Sequence, residues 1–302
     1  MKVALTGATG MIGRPLGTAL RRRGDELVVL SRRASSATGV ANSSQVLEWE
    51  PASGPAPGLS GVDAVVHLAG EPVAQRWTAA AKDRIRRSRV LGTANLVAGL
   101  ATADPRPNVL VSTSAAGFYG DRGDLPLEES APPGPRDDFL ASVCIDWEDA
   151  AEQATELGVR VVIVRNGVVL DRHGGALAKM LPAFKLSLGG PIAGGRQYMP
   201  WITLDDVVGL YLAALDGGAS WSGPVNASAP APATNAQFTK ALGRALHRPA
   251  VAPVPAFALR LLFGEMASVL LASQRALPAR ATQLGYQFRW GELDSALAAA
   301  LA

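Results

Sequence analysis

LTGATGMIG, residues 5–13, joins the apolar run VALT (3–6) to a stretch with helical periodicity at 12–23. Its glycines, Gly7, Gly10 and Gly13, therefore stand where a buried strand turns into a helix. A turn without Cβ atoms lets backbone amides approach an anion at the positive end of a helix dipole. The spacing predicts a dinucleotide's pyrophosphate there; a glycine turn that only joins two elements is the plainer alternative.

The strand-to-helix alternation continues downstream. ELVVL (26–30), AVVHLA (64–69), VLVSTS (109–114) and VRVVIVR (159–165) read as buried parallel strands, separated by helical stretches at 78–101 and 139–157. The expected fold is α/β, a Rossmann-type doubly wound parallel sheet with helices on both faces. After Arg165 the rhythm changes to a glycine-rich passage ending at Asp206, and SAPAPA (228–233) is a boundary candidate. The expected organisation is a nucleotide-binding domain over 1–230 with a substrate-loop insertion at 171–206, then a small, mostly helical C-terminal lobe over 231–302.

Composition limits the function classes. A net charge of +3, with basic residues scattered apart from Arg21–Arg23 and Arg84–Arg89, does not argue for nucleic acid. One cysteine excludes a disulfide framework, and three histidines without a Cys/His cluster argue against a metal site. The chain starts on a buried strand and has no membrane-length apolar run, so a reducing cytoplasm and a small-molecule partner are expected, without a membrane; oligomeric state is left open.

At the tip of the second strand stand Ser31, Arg32 and Arg33, with no carboxylate to accept from ribose hydroxyls. Arginine there suits the 2′-phosphate of NADP(H), with NAD(H) the lesser choice; solvated surface arginines are the alternative.

HLAGE (67–71), STSAAGFYG (112–120) and the blocks FLASVCIDWE (139–148), 164–206 and 254–278 complete a pattern covering nearly the whole chain. It resembles the extended short-chain dehydrogenases/reductases, and more narrowly the atypical, NAD-dependent epimerase/dehydratase-like branch with its own C-terminal domain. The resemblance implies an oxidoreductase or epimerase acting on a small carbonyl or hydroxyl substrate, such as a sugar nucleotide. It implies cofactor contacts from Gly7, Gly10, Met11, Ile12, Gly13, Ser31, Arg32, Leu68, Ala69, Gly70, Arg89 and Val169, with Val169 on the nicotinamide side.

The relatives' Tyr-x-x-x-Lys pair is missing. Its helix offers Leu140 with Cys144, or Phe139 with Val143. Cysteine commonly takes the lysine position in the atypical branch, which places Cys144 beside the cofactor; a thiol with a reference pKa of about 8.5 supplies no fixed cation. Ser114 persists as the candidate donor to a substrate carbonyl oxygen, and Arg89 as an electrostatic stabiliser. Tyr119 is a candidate acid/base if it enters the cleft, or else a packed aromatic. Arg196 and Tyr198 are expected in a substrate loop, Asp205 and Asp206 as helix N-caps, and His67 as a satisfied core histidine. Loss of the pair leaves two classes open: an enzyme with a different proton carrier, or an NADP(H) sensor without turnover.

Overall fold

The computed structural model describes residues 1–37, 39 and 45–302. Seven parallel strands form the main sheet, in the spatial order Gly223–Ala227, Arg160–Asn166, Val109–Ala115, Ala64–His67, Lys2–Thr6, Glu26–Ser31 and Gln45–Glu48. Val, Leu and Ile pack to both sides of it, as a sheet covered on both faces requires. The strand order reverses between Lys2–Thr6 and Ala64–His67, and a doubly wound sheet opens a crevice at such a point, beyond the carboxyl ends of its strands. The glycine turn sits at that crevice.

On one face lie the helices Gly13–Arg22 and Leu204–Asp216; on the other lie Ala79–Ala101 and Phe139–Glu152. Asp138 caps the last of these by accepting from Ala141 N at 3.0 Å. The cap expected at Asp205 or Asp206 is instead Thr203, whose hydroxyl accepts from Asp206 N. Asp206 is buried at that helix start: its carboxylate accepts from Thr203 Oγ1 at 2.9 Å, from Arg289 N at 2.7 Å and from Trp290 N at 3.0 Å, pinning the C-terminal segment to the sheet domain.

The glycine-rich passage and the C-terminal lobe share one core. Leu177, Leu181, Phe184 and Trp201 pack with Phe238, Leu242 and Leu297. The strand Tyr198–Met199 pairs with Ala233–Thr234, and Arg275–Ala276 pairs with Pro126–Leu127. No helix among the described residues is long and apolar enough to cross a membrane.

His67 ends the fourth strand fully buried, with Nδ1 2.8 Å from Thr6 Oγ1 and Nε2 3.1 Å from Thr93 Oγ1. Burial, with a smaller contribution from the Arg89 charge, pulls its pKa down to about 4. An unfolded chain binds that proton near 6.5, so the contribution is complete above pH 6.5 and is lost as pH falls towards 4. Urea titrations should show about 3 kcal/mol of stability disappearing across this window. That part of the pH dependence should vanish in His67→Gln; a slope identical in both proteins would refute the assignment.

Candidate functional site

The glycine turn is built by contact. Gly7 has φ +66°, and a Cβ on it would lie 2.8 Å from the Leu68 carbonyl. A Cβ on Gly13 would lie 2.2 Å from Gly7 O, so the helix start rests directly on the turn. Gly10 N donates to Gly7 O at 2.9 Å. Above this turn opens a cavity of about 630 Å³, lined on one side by Gly7–Gly10 and Ser31–Arg33 and on the other by Leu68–Glu71. Gly7, Gly10, Ser31, Arg32, Leu68, Ala69 and Gly70 thus face one space.

Three residues expected there are placed elsewhere. Ile12 packs on the core, Gly13 lies beneath the turn, and the Met11 thioether fills the room a Cβ would need at Gly174 and Gly175. Glu50, from the segment after the third strand, lines the same cavity and was not foreseen; its stretch carries no motif. A carboxylate also stands near the second strand's tip, contrary to expectation: Glu48, from the adjoining strand, accepts from Ala34 N at 3.1 Å.

A second cavity of about 360 Å³ shares Leu68 and Gly70 with the first. Its walls come from the end of the strand Val109–Ala115, the helix Phe139–Glu152, the turn Asn166–Val168 and, from the C-terminal lobe, Ser268, Val269, Ala272 and Gln274. Arg89 lies at the junction of the two cavities. Its guanidinium abuts Gly70, donates to Glu71 O at 2.9 Å and stacks over Trp147 at 5.0 Å. Burial lowers its pKa, and among the described residues no carboxylate forms an ion pair with it. Val168, one residue before the expected Val169, lines this cavity, while Val169 is in the core.

Ser114 lines the second cavity, but its hydroxyl donates to Glu148 Oε1 at 2.5 Å, leaving only lone pairs for a ligand. It is therefore not the free donor to a carbonyl oxygen that was expected. Glu148 is buried and is gripped by Arg165, whose Nε and Nη2 lie 3.0 and 2.8 Å from its two oxygens. Neither residue was singled out in the sequence. Glu148 follows Cys144 by one helical turn, and Arg165 directly follows the apolar run Val161–Val164 within its strand, so a buried cation needing a counter-charge was the available clue.

Tyr119 does not enter the cleft. Its ring is fully buried, its hydroxyl donates to Asn226 Oδ1 at 2.7 Å and accepts from Arg165 Nη1 at 2.9 Å, and burial raises its pKa. Arg165 and Asn226 together draw the phenol inward. Cys144 lines the second cavity, yet burial and the Glu148 charge push its thiol up to about 12, so it is neutral near pH 7. Arg196 is exposed and, like Tyr198, lies outside both cavities; Tyr198 packs under Arg275 at 5.3 Å. The basic cluster is largely engaged, with Arg86 paired to Asp146 and Arg84 3.6 Å from Glu71.

The signature of the NAD dependent epimerase/dehydratase family matches residues 3–226. The chain belongs to that family. Residues 254–300 match a domain of unknown function, DUF1731. An epimerase family protein of Mycobacterium bovis is 42% identical, with 98% of this chain and 96% of that protein covered. A chloroplastic SDR39U1 homologue of Arabidopsis thaliana is 40% identical over 99% of this chain and 86% of its own length. The crystal structure of human SDR39U1 with NADPH superposes with a TM-score of 0.88 at 34% identity, covering 99% of each chain. UDP-glucuronic acid 4-epimerase from Bacillus cereus, in complex with UDP-glucuronic acid and NAD, shares the fold at 18% identity, with a TM-score of 0.77 over 98% of this chain and 96% of its own. The residues matched by that family's signature include the glycine turn and Ser114.

Proposed function

We propose that the protein is an NADP(H)-dependent oxidoreductase acting on a small carbonyl or hydroxyl compound. The supporting observation is that the cavity over the glycine turn and the cavity beside Ser114 adjoin at Leu68 and Gly70, which line both, with the Arg89 guanidinium against Gly70. A half-buried guanidinium with no carboxylate in ion-pair contact among the described residues, against Gly70 at the edge of the cavity over the glycine turn, fits a phosphate-bearing dinucleotide. When bound, the nicotinamide supplies or accepts the hydride. Gly7 and Gly10 would hold the pyrophosphate, Ser31 and Arg32 the adenosine end, and Arg89 the region between the cavities. The NADPH of human SDR39U1 agrees with arginine at the adenosine end.

Ser114 and Glu148 would carry the proton. In the oxidation direction a substrate hydroxyl donates to the Ser114 oxygen, and the serine's own proton passes to Glu148; reduction runs the same relay backwards. Cys144, as a neutral thiol, takes no part. A second reading, an NADP(H) sensor without turnover, is favoured by the absent Tyr-x-x-x-Lys pair.

Two measurements separate these readings. In fluorescence titrations Arg32→Ala should weaken NADPH binding by about tenfold, the worth of a charge-assisted hydrogen bond, and leave NADH binding unchanged. An equal effect on both cofactors would remove the NADP assignment. Oxidation of NADPH in the presence of a panel of ketones and aldehydes supports the enzyme, whereas tight binding with no turnover across the panel supports the sensor.

A further inference from the structure

The relatives with bound sugar nucleotides suggest a polar substrate, and the cavity beside Ser114 has the wrong chemistry for one. Its walls are dominated by Val73, Leu140, Val143, Trp147, Val168 and Val269. Most of its polar side-chain atoms are turned to protein partners, while among the described residues Trp147 Nε1 and Asn166 Oδ1 are buried without one. Ser114 donates to Glu148, the Asn166 amide donates to Thr113 and Tyr211, Ser268 donates to Glu265 O, and the Gln274 amide donates to Gly120 O. Two charged residues line it among those described: Arg89, which spends donors on Glu71 O and Ile85 O, and Asp138, whose carboxylate caps a helix and would repel a diphosphate.

Size points the same way. A volume of about 360 Å³ lies at the small end of the range of ligand pockets, roughly 300–1,000 Å³, and it must also admit the nicotinamide end of a cofactor. A nucleoside diphosphate joined to a sugar needs more room, a cation for each phosphate and partners for every hydroxyl. Arg196, the exposed cation of the preceding loop, lies outside the cavity.

We infer that this site takes a small, uncharged, mainly apolar ketone, aldehyde or secondary alcohol, and not a sugar nucleotide. The inference rests on the oxidoreductase reading for the carbonyl or hydroxyl group alone; the apolar character rests on the cavity wall. A substrate hydroxyl donates to the Ser114 oxygen, a carbonyl oxygen accepts from the serine hydroxyl when Glu148 holds the relay's proton, and the aliphatic and indole surfaces take the rest by excluding water.

The test uses the full-length protein saturated with NADPH, with acetophenone and cyclohexanone as apolar probes and UDP-glucose as the sugar-nucleotide probe, followed by ligand-observed NMR. The ketones should bind at least tenfold more tightly than UDP-glucose. Val269→Lys places a cation at a partly exposed wall position, 39% accessible, where it should not disturb folding. It should weaken ketone binding several-fold and leave NADPH affinity unchanged. Tighter binding of UDP-glucose, no ketone binding, or ketone binding indifferent to Val269→Lys overturns the inference. Ketones that bind in this way but are never reduced would leave the apolar site standing and remove the oxidoreductase reading; UDP-glucose turned over would do the reverse.

Discussion

Arg165→Met should lower the unfolding free energy by roughly 3–5 kcal/mol, because it leaves the Glu148 carboxylate buried with the Ser114 hydroxyl as its remaining side-chain partner. At the size of this chain that is a fall of roughly 5–8 °C in Tm. The guanidinium also donates to Glu129 O and to the Tyr119 hydroxyl and lies 3.6 Å over the Phe118 ring, so some of the loss is packing rather than charge. The double variant Arg165→Met with Glu148→Leu separates the two. A buried ion pair replaced whole by apolar groups is often neutral, so most of the loss should return, whereas Glu148 left alone has no remedy. A double variant no more stable than Arg165→Met would show that the ion pair is not what the fold depends on.

Gly13→Ala should damage folding and cofactor binding together. Its Cβ would enter to 2.2 Å from Gly7 O and 2.8 Å from Ala8 Cα, and both contacts are backbone, so the helix must lift off the turn. Overpacking of this kind costs about 1–3 kcal/mol or more, and the displaced amides no longer converge on the pyrophosphate position. NADPH affinity should fall by at least roughly a hundredfold, equivalent to nearly 3 kcal/mol. Gly54→Ala, where a Cβ meets nothing within 4 Å, serves as the control and should leave both properties unchanged. Wild-type NADPH affinity in Gly13→Ala would contradict the proposed role of the turn.

Much of the sheet was legible in the sequence because its central strands are apolar on both faces. Lys2–Thr6, Glu26–Ser31, Ala64–His67, Val109–Ala115 and Arg160–Asn166 all fall within a residue or two of the apolar runs that announce them. The two edge strands were not foreseen. Gln45–Glu48 is largely exposed, and Gly223–Ala227 contains glycine, proline and asparagine, so neither carries the pattern.

The candidate site divides in the same way. The glycine turn was readable because strand, spacing and helix are local. Glu148 and Arg165 come together from a helix and a strand 17 positions apart, and no spacing rule links such a pair. Arg196 and Tyr198 misled for the opposite reason: a glycine-rich loop with an aromatic and a cation resembles a ligand loop, but Tyr198 N is held by Ser273 Oγ and its strand pairs with Ala233–Thr234. What looks like a loop for substrate is a seam between two parts of the fold.

That seam restricts motion. The chain leaves the sheet domain after Asn166, returns at Thr203, leaves again after Ala227, and is tied back by Asp206 to Arg289 and Trp290. A lobe joined at several crossings with a common core cannot swing as a rigid lid about one pivot, because every crossing would have to bend at once. Ser268, Val269, Ala272 and Gln274 thus form a fixed wall of the cavity beside Ser114, and deletion of the C-terminal segment would remove that wall.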